Sequence, residues 1–211
     1  MTNRREFLHL SVAALSLPIA ARAGVSPELF RTEERADVEP LYKVFFDERF
    51  SSCTAFADEM KRRAQPTHAI RGDITEAWFS DLYYFWKEGR WKQGSGQQGP
   101  AAIAGLTAPG PTFCLEMLAR DAGMRVVMRV DHRRDGGRIE HEFAGPENML
   151  ARAADVQASG EEWPRRMAEL VAESSGERSA AQTAMNWGHA ATEGTDPEHL
   201  VTWLIAPLQR V

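Results

Sequence analysis

Four residue groups place chemistry-bearing side chains at or just after apolar runs: Asp47 with Arg49, Asp73 after Gly72, Thr107 after Gly105-Leu106, and Asp131-His132. Carboxylates, a hydroxyl and an imidazole gathered on one rim would bind a metal or a polar ligand, or run acid–base chemistry. Each group also has a structural alternative. Asp and Thr after a strand cap the helix that follows, which applies to Asp73 and Thr107. Asp47 can pair with Arg49 or cap a helix. His132 can lie on a solvated hairpin.

An apolar strand ending in Asp47, with a later strand ending in Thr107, resembles haloacid-dehalogenase-type phosphatases in outline. That family needs a second acid two residues after its nucleophilic aspartate. Position 49 is arginine, so the general acid is missing and the phosphatase reading fails.

The elements that must position these residues follow from periodicity. Leu41 to Phe46, Thr67 to Ile70, Ala101 to Leu106 and Met124 to Val130 are short apolar runs that read as strands. Helices are expected from Ser51 to about Ala64, from about Glu76 to Lys87, and from about Thr112 to Ala122. Ser51-Ser52 caps the first and Pro66 stops it; Asp73 or Thr75 caps the second; Gly123 ends the third. The second helix is ringed with aromatics (Trp78, Phe79, Tyr83, Phe85, Trp86), which implies deep burial or contact with a partner. A Gly/Gln-rich loop from Gly89 to Pro100 follows, carrying Trp91. Asp135-Gly136-Gly137 marks a hairpin turn, with Arg138 to Phe143 returning as a strand. Two or three helices are expected over 146–192, and a last strand from His199 to Ala206. The alternation predicts a three-layer α/β fold with an open, mainly parallel sheet, Rossmann-like or flavodoxin-like, an antiparallel edge hairpin and extra C-terminal helices. In such a sheet, ligands sit outside the carboxyl ends of the strands, which is why the strand-end residues matter.

The hairpin turn carries a conditional. If Gly136-Gly137 are the loop residues, His132 stands opposite His141, and paired imidazoles can share a metal. If the loop is Asp135-Gly136, His132 faces Ile139. Cys53 and Cys114 are the only cysteines. Both fall near a helix start on the expected rim, a placement that suits a disulfide. No Cys-x-x-Cys, Gly-x-Gly-x-x-Gly, Walker loop, Gly-x-Ser-x-Gly or His-Glu-x-x-His is present. Gly94-Ser95-Gly96 precedes a strand and reads as linker. No cofactor or metal motif is visible, so the cofactor stays open.

The N-terminus carries an address. Asn3-Arg4-Arg5-Glu6-Phe7-Leu8 precedes a mild apolar run from Leu8 to Ala20 and the small-x-small site Ala21-Arg22-Ala23. With Arg4, Arg5, Phe7 and Leu8 in place, it resembles a twin-arginine signal peptide; Asn3 and His9 depart from the pattern at its flanks. The resemblance implies passage through the twin-arginine translocase, cleavage after Ala23 and a periplasmic protein. The run is too short for a membrane span, which needs about 20 apolar residues. The expected organisation is a signal peptide at 1–23, a polar lead-in at 24–40 and one α/β domain at 41–211.

The chain has a formal charge of −5. Removing residues 1–23 takes away three arginines and one glutamate and leaves −7. Net charge of this sign argues against nucleic acid or anionic lipid as partner, and no transmembrane segment is expected in the mature chain. The expected function is an exported accessory or binding subunit associated with a periplasmic oxidoreductase, using the aromatic helix, Trp91 and the C-terminal helices as a partner face. The alternative is a small enzyme or ligand-binding domain using Asp47, Asp73, Thr107 and His132.

Overall fold

The computed structural model describes residues 41–87, 101–176, 182–191 and 196–207. The signal residues Arg4, Arg5, Phe7 and Leu8, the lead-in 24–40, and the 89–100 loop with Trp91 and Gly94-Ser95-Gly96 lie outside the described residues. All described residues belong to one compact unit, Ala36–Val211.

The chain runs β1 (Lys43–Asp47), α1 (Ser51–Arg62), β2 (Thr67–Ile70), α2 (Thr75–Ala77), a π-helical turn (Trp78–Leu82), α3 (Tyr83–Trp86), β3 (Ile103–Thr107), α4 (Pro109–Asp121), β4 (Met124–Asp135), β5 (Arg138–Gly145), α5 (Leu150–Gln157), α6 (Trp163–Glu173), β6 (Thr183–Ala190) and β7 (His199–Pro207). The seven strands form one sheet in the order β2-β1-β3-β7-β4-β5-β6. β1 pairs with β2 and β3 in parallel. The other four pairings are antiparallel. The fold is therefore α/β with a mixed sheet, and the expectation of a mainly parallel sheet is corrected.

The correction has a physical source. The last strand does not close an edge. It inserts between β3 and β4, antiparallel to both. Its run Leu200 to Ala206 is fully buried, as a strand covered on both faces should be. β4 consequently points the same way as β1 and β3, although no parallel pairing joins it to them.

Alternate pleats of the same strands feed two cores. Val44, Phe46, Ala104, Leu106, Met128, Val130 and Leu204 pack with α1, α5 and α6. Phe45, Ile103, Val201, Trp203 and Ile205 pack with α2, α3 and α4. This period of two is the expected signature of strands packed on both faces. Trp203 lies across Gly105, where a Cβ would come within 2.5 Å of its indole and 2.6 Å of the Phe45 carbonyl oxygen.

Residues 183–190, expected to be helical, form β6. Thr-Ala-Met-Asn-Trp-Gly-His-Ala alternates in exposure and buries only Trp187, as befits a strand at the sheet's end. Among the described residues no helix is long and apolar enough to cross a membrane.

Candidate functional site

The strand-end rim exists, and the sheet register aligns it. Phe46 stands beside Leu106, Leu106 beside Thr202, and Thr202 beside Val130. One residue further along, Asp47, Thr107 and Asp131 fall at one level. Each of the three is held by its own partners.

Asp47 is fully buried. Its carboxylate accepts from Arg49 Nε at 2.8 Å and Nη2 at 2.5 Å. The guanidinium lies over Gly72, whose φ of +82° and missing side chain leave it room. The hydrogen bonds that Arg49 donates to Asp47 raise the Arg49 pKa further, against the smaller opposing effect of burial. This is the structural pairing that the sequence allowed.

Asp73 is an exposed cap. Its Oδ1 accepts from the Thr75 backbone N–H at 2.8 Å, and hydrogen bonds from Thr75 hold its carboxyl below the ordinary range. Thr107 is fully buried. Its hydroxyl lies 2.9 Å from that of Thr112 in α4 and accepts from Trp203 Nε1 at 3.2 Å. It fastens a helix to the sheet.

Asp131 belongs to a network that the sequence reading did not assemble. Arg129 donates to both Asp131 oxygens, Nε at 2.7 Å and Nη2 at 3.0 Å, and to Glu116 of α4 at 2.8 Å. His199 Nε2 lies 2.7 Å from Asp131 Oδ1. Burial works against the Asp131 charge, but the bonds from Arg129 and His199 outweigh it and hold the carboxyl below its usual range. His199 is partly exposed. An imidazole aligned by a carboxylate is a general-base arrangement. The local signal was present as Arg-x-Asp on one strand face; the His199 partner lies 68 residues away.

His132 points to the opposite face. The turn leaves Gly136-Gly137 as the loop, with Asp135 opposite Arg138 and His132 opposite His141. The two Nδ1 atoms are 2.6 Å apart. His132 Nε2 is 2.8 Å from Thr202 Oγ1, and His141 Nε2 is 3.4 Å from His189 Nδ1. The rings lie between Trp163 of α6, 4.2 Å from the His132 ring centre, and Trp187, stacked on His141 at 5.2 Å. His132 and His141 are buried. Desolvation, with help from the neighbouring imidazoles, pushes the His132 pKa well down and that of His141 to about 3. At neutral pH both rings are uncharged. His132 is thus a core residue rather than a solvated hairpin residue, and it does not share a site with Asp47, Asp73 or Thr107. Among the described residues, no group of three or more His, Cys, Asp or Glu has the geometry to hold a metal.

Cys53 and Cys114 are free. Cys53 is buried in the core beneath α1, where burial pushes its thiol pKa up. Cys114 is exposed on α4, whose Leu115 and Ala119 belong to the other core. The sheet separates the two helices, so the expected disulfide is corrected.

The start of α1 is capped from a distance. Asp196 accepts from the backbone N–H groups of Ser51 at 2.7 Å and Ser52 at 3.0 Å, and from both hydroxyls. The serines are donors to a carboxylate 145 residues away. A carboxylate at a helix N-terminus satisfies otherwise orphaned donors and complements the helix dipole.

The large hydrophobic side chains exposed among the described residues are Phe79, Tyr83, Phe113 and Met117. They form two i,i+4 pairs, one on the aromatic helix and one on α4, both in the layer over the same sheet face. The comparisons with protein-family models, curated proteins and solved structures return no match for this chain.

Proposed function

We propose that this protein is an exported accessory or binding subunit that travels by the twin-arginine route and serves a periplasmic oxidoreductase system. The observation that carries the reading is the placement of Phe79, Tyr83, Phe113 and Met117. All four stand on the helical layer over one sheet face. Exposed aromatics and methionine are typical of the anchors of protein interfaces. The rim supports the same reading from the other side: Asp47, Asp73 and Thr107 are each engaged in internal hydrogen bonds.

The finer fold assignment belongs here as well. The order β2-β1-β3, with α1 and α2–α4 on opposite faces, supports a flavodoxin-like half, into which β7 inserts before β4 continues in the same direction.

The test has two parts. Replacing Arg4 and Arg5 with lysine should keep the protein in the cytoplasm; unchanged export defeats the twin-arginine reading. In periplasmic extract, the protein should elute in a complex with oxidoreductase activity, and Phe79→Ser with Phe113→Ser should return it to its monomer volume. A monomer in both forms defeats the accessory-subunit reading.

A second reading is favoured by one observation, the Asp131–His199 pair oriented by Arg129. It makes the protein a small periplasmic enzyme or ligand-binding domain with His199 as proton acceptor. The test is His199→Gln: a ligand-dependent activity that survives the change removes this alternative.

A further inference from the structure

The three imidazoles His132, His141 and His189 stand on neighbouring strands β4, β5 and β6 and bond nitrogen to nitrogen. Such a chain obeys a strict proton count. Each of its two ring-to-ring bonds holds one proton, donated by one nitrogen and accepted by the other. The two remaining positions are His132 Nε2, facing Thr202 Oγ1, and His189 Nε2, which is buried with no hydrogen-bond partner among the described residues. Three neutral imidazoles carry three protons. The chain can therefore hold one more, with both end nitrogens protonated, and keep both bonds. A second extra proton sets two N–H donors against each other across a bond and breaks it.

We propose that this imidazole chain is an acid-sensitive latch, which holds the end strand β6 and helix α6 against the sheet and, when a second proton enters, releases β6 and loosens α6.

What the latch holds follows from the contacts. Trp163, the first residue of α6, packs against both the His132 and His141 rings. Trp187 and His189 of β6 both stack on His141. Splitting the chain strips ring contacts from Trp163 of α6 and from Trp187 and His189 of β6 at once, while Met167, Leu170 and Val171 keep α6 in the core. Among the described residues β6 pairs with the sheet only through β5, so it can leave without opening another of these strand pairs.

Charged and polar groups face the chain from the elements packed around it. Glu161, in the turn before α6, favours a charged His189, while Arg134 and Arg138 of the hairpin oppose it. Ser52 of α1 and Asp196 line the small gap beside His132. Thr202 faces it from β7, and His199 lies beyond on the other sheet face and disfavours its charge. Burial lowers the His189 pKa most, and Glu161 opposes that effect at this outer, half-buried end of the chain.

The experiment is hydrogen exchange of the full chain at pH 7.5 and 5.0, corrected for intrinsic rates. Protection in 183–190 and 163–173 should fall by about tenfold or more at the lower pH, while 43–47 and 109–121 keep theirs. His141→Phe keeps a ring of similar size but removes both inter-ring bonds, so it should abolish this selective pH response. A uniform change across all segments, no change, or an identical selective response in His141→Phe overturns the proposal. If that variant does not fold, the imidazole nitrogen shifts of the unaltered protein decide. Coupled titration of the three rings with release of β6 supports the latch; independent titration of each ring near 6.5 overturns it.

Discussion

Thr107 and Asp131 stand opposite the same residue, Val201, from the two sides of β7. The final strand thus aligns the two rim residues at one level and also separates them by two inter-strand spacings, about 10 Å. A ligand bridging them would have to pass over β7. Each residue instead serves the strand–helix packing on its own side, Thr107 through Thr112 and Asp131 through Arg129 to Glu116.

Asp131→Asn should destabilise the protein by about 2 kcal/mol, because two guanidinium bonds and the His199 contact lose their charge while Arg129 stays partly buried. Urea denaturation at pH 7 reads this directly. His199→Gln should cost less than Asp131→Asn, since Arg129 keeps its bidentate partner. Equal losses would show that His199, not Arg129, is the main partner of Asp131.

Gly105→Ala should cost about 3 kcal/mol. The added Cβ meets the backbone oxygen of Phe45 as well as the Trp203 indole, and backbone in a central strand cannot retreat. A change in melting temperature no greater than that of Gly110→Ala, where a Cβ meets nothing, would contradict this packing.

The cysteines should behave as two independent thiols. Cys114 should react with a thiol reagent in native buffer, and Cys53 only after denaturation, because burial both shields it and disfavours its thiolate. Non-reducing peptide mapping of the oxidised protein should find no Cys53–Cys114 link.

Stability should fall with acid before ordinary carboxylates titrate. His132 and His141 have folded pKa values below the unfolded value near 6.5, with His141 at about 3. Their contribution is complete well above 6.5 and is lost as pH falls below it, for His141 down to about 3. Two such groups give a slope that approaches about 2.7 kcal/mol per pH unit once the pH is about a unit below 6.5. Asp131, with its lowered pKa, adds its own loss only below about 3.9. Urea midpoints measured from pH 7.5 to 4.5 give the slope. A flat profile between 6.5 and 5 would mean that the imidazoles are already charged in the folded protein.

Local pattern alone carried a large part of this structure. Apolar runs bounded by Pro, Gly and Asp located β1, β2, β3 and the start of β4, and the helix following Ser51 ends near Ala64, whose φ is +57°. The Gly136-Gly137 turn was one of two registers, and choosing between them required the Asp135–Arg138 pairing. Asp73 and Asp47 bond to neighbours two residues away, so their structural roles were legible from sequence. β6 was misread because a strand at the sheet's end buries little, and a run containing Asn186 and Gly188 lacks the apolar signal of a central strand.

Tertiary structure decided what depends on distant pairing. The sequence determined the strands other than β6 and the main helices, because these rest on the period of burial and on turn residues close by. It did not determine that β7 inserts between β3 and β4, that Asp196 caps α1, or that His189 joins His132 and His141. Those follow from packing between segments 48 to 145 residues apart, where shape and hydrogen-bonding capacity select the partner and no local periodicity records it. Insertion of one strand turned a mainly parallel sheet into a mixed one, and with it moved the chemistry of this chain from a shared rim to two opposite faces.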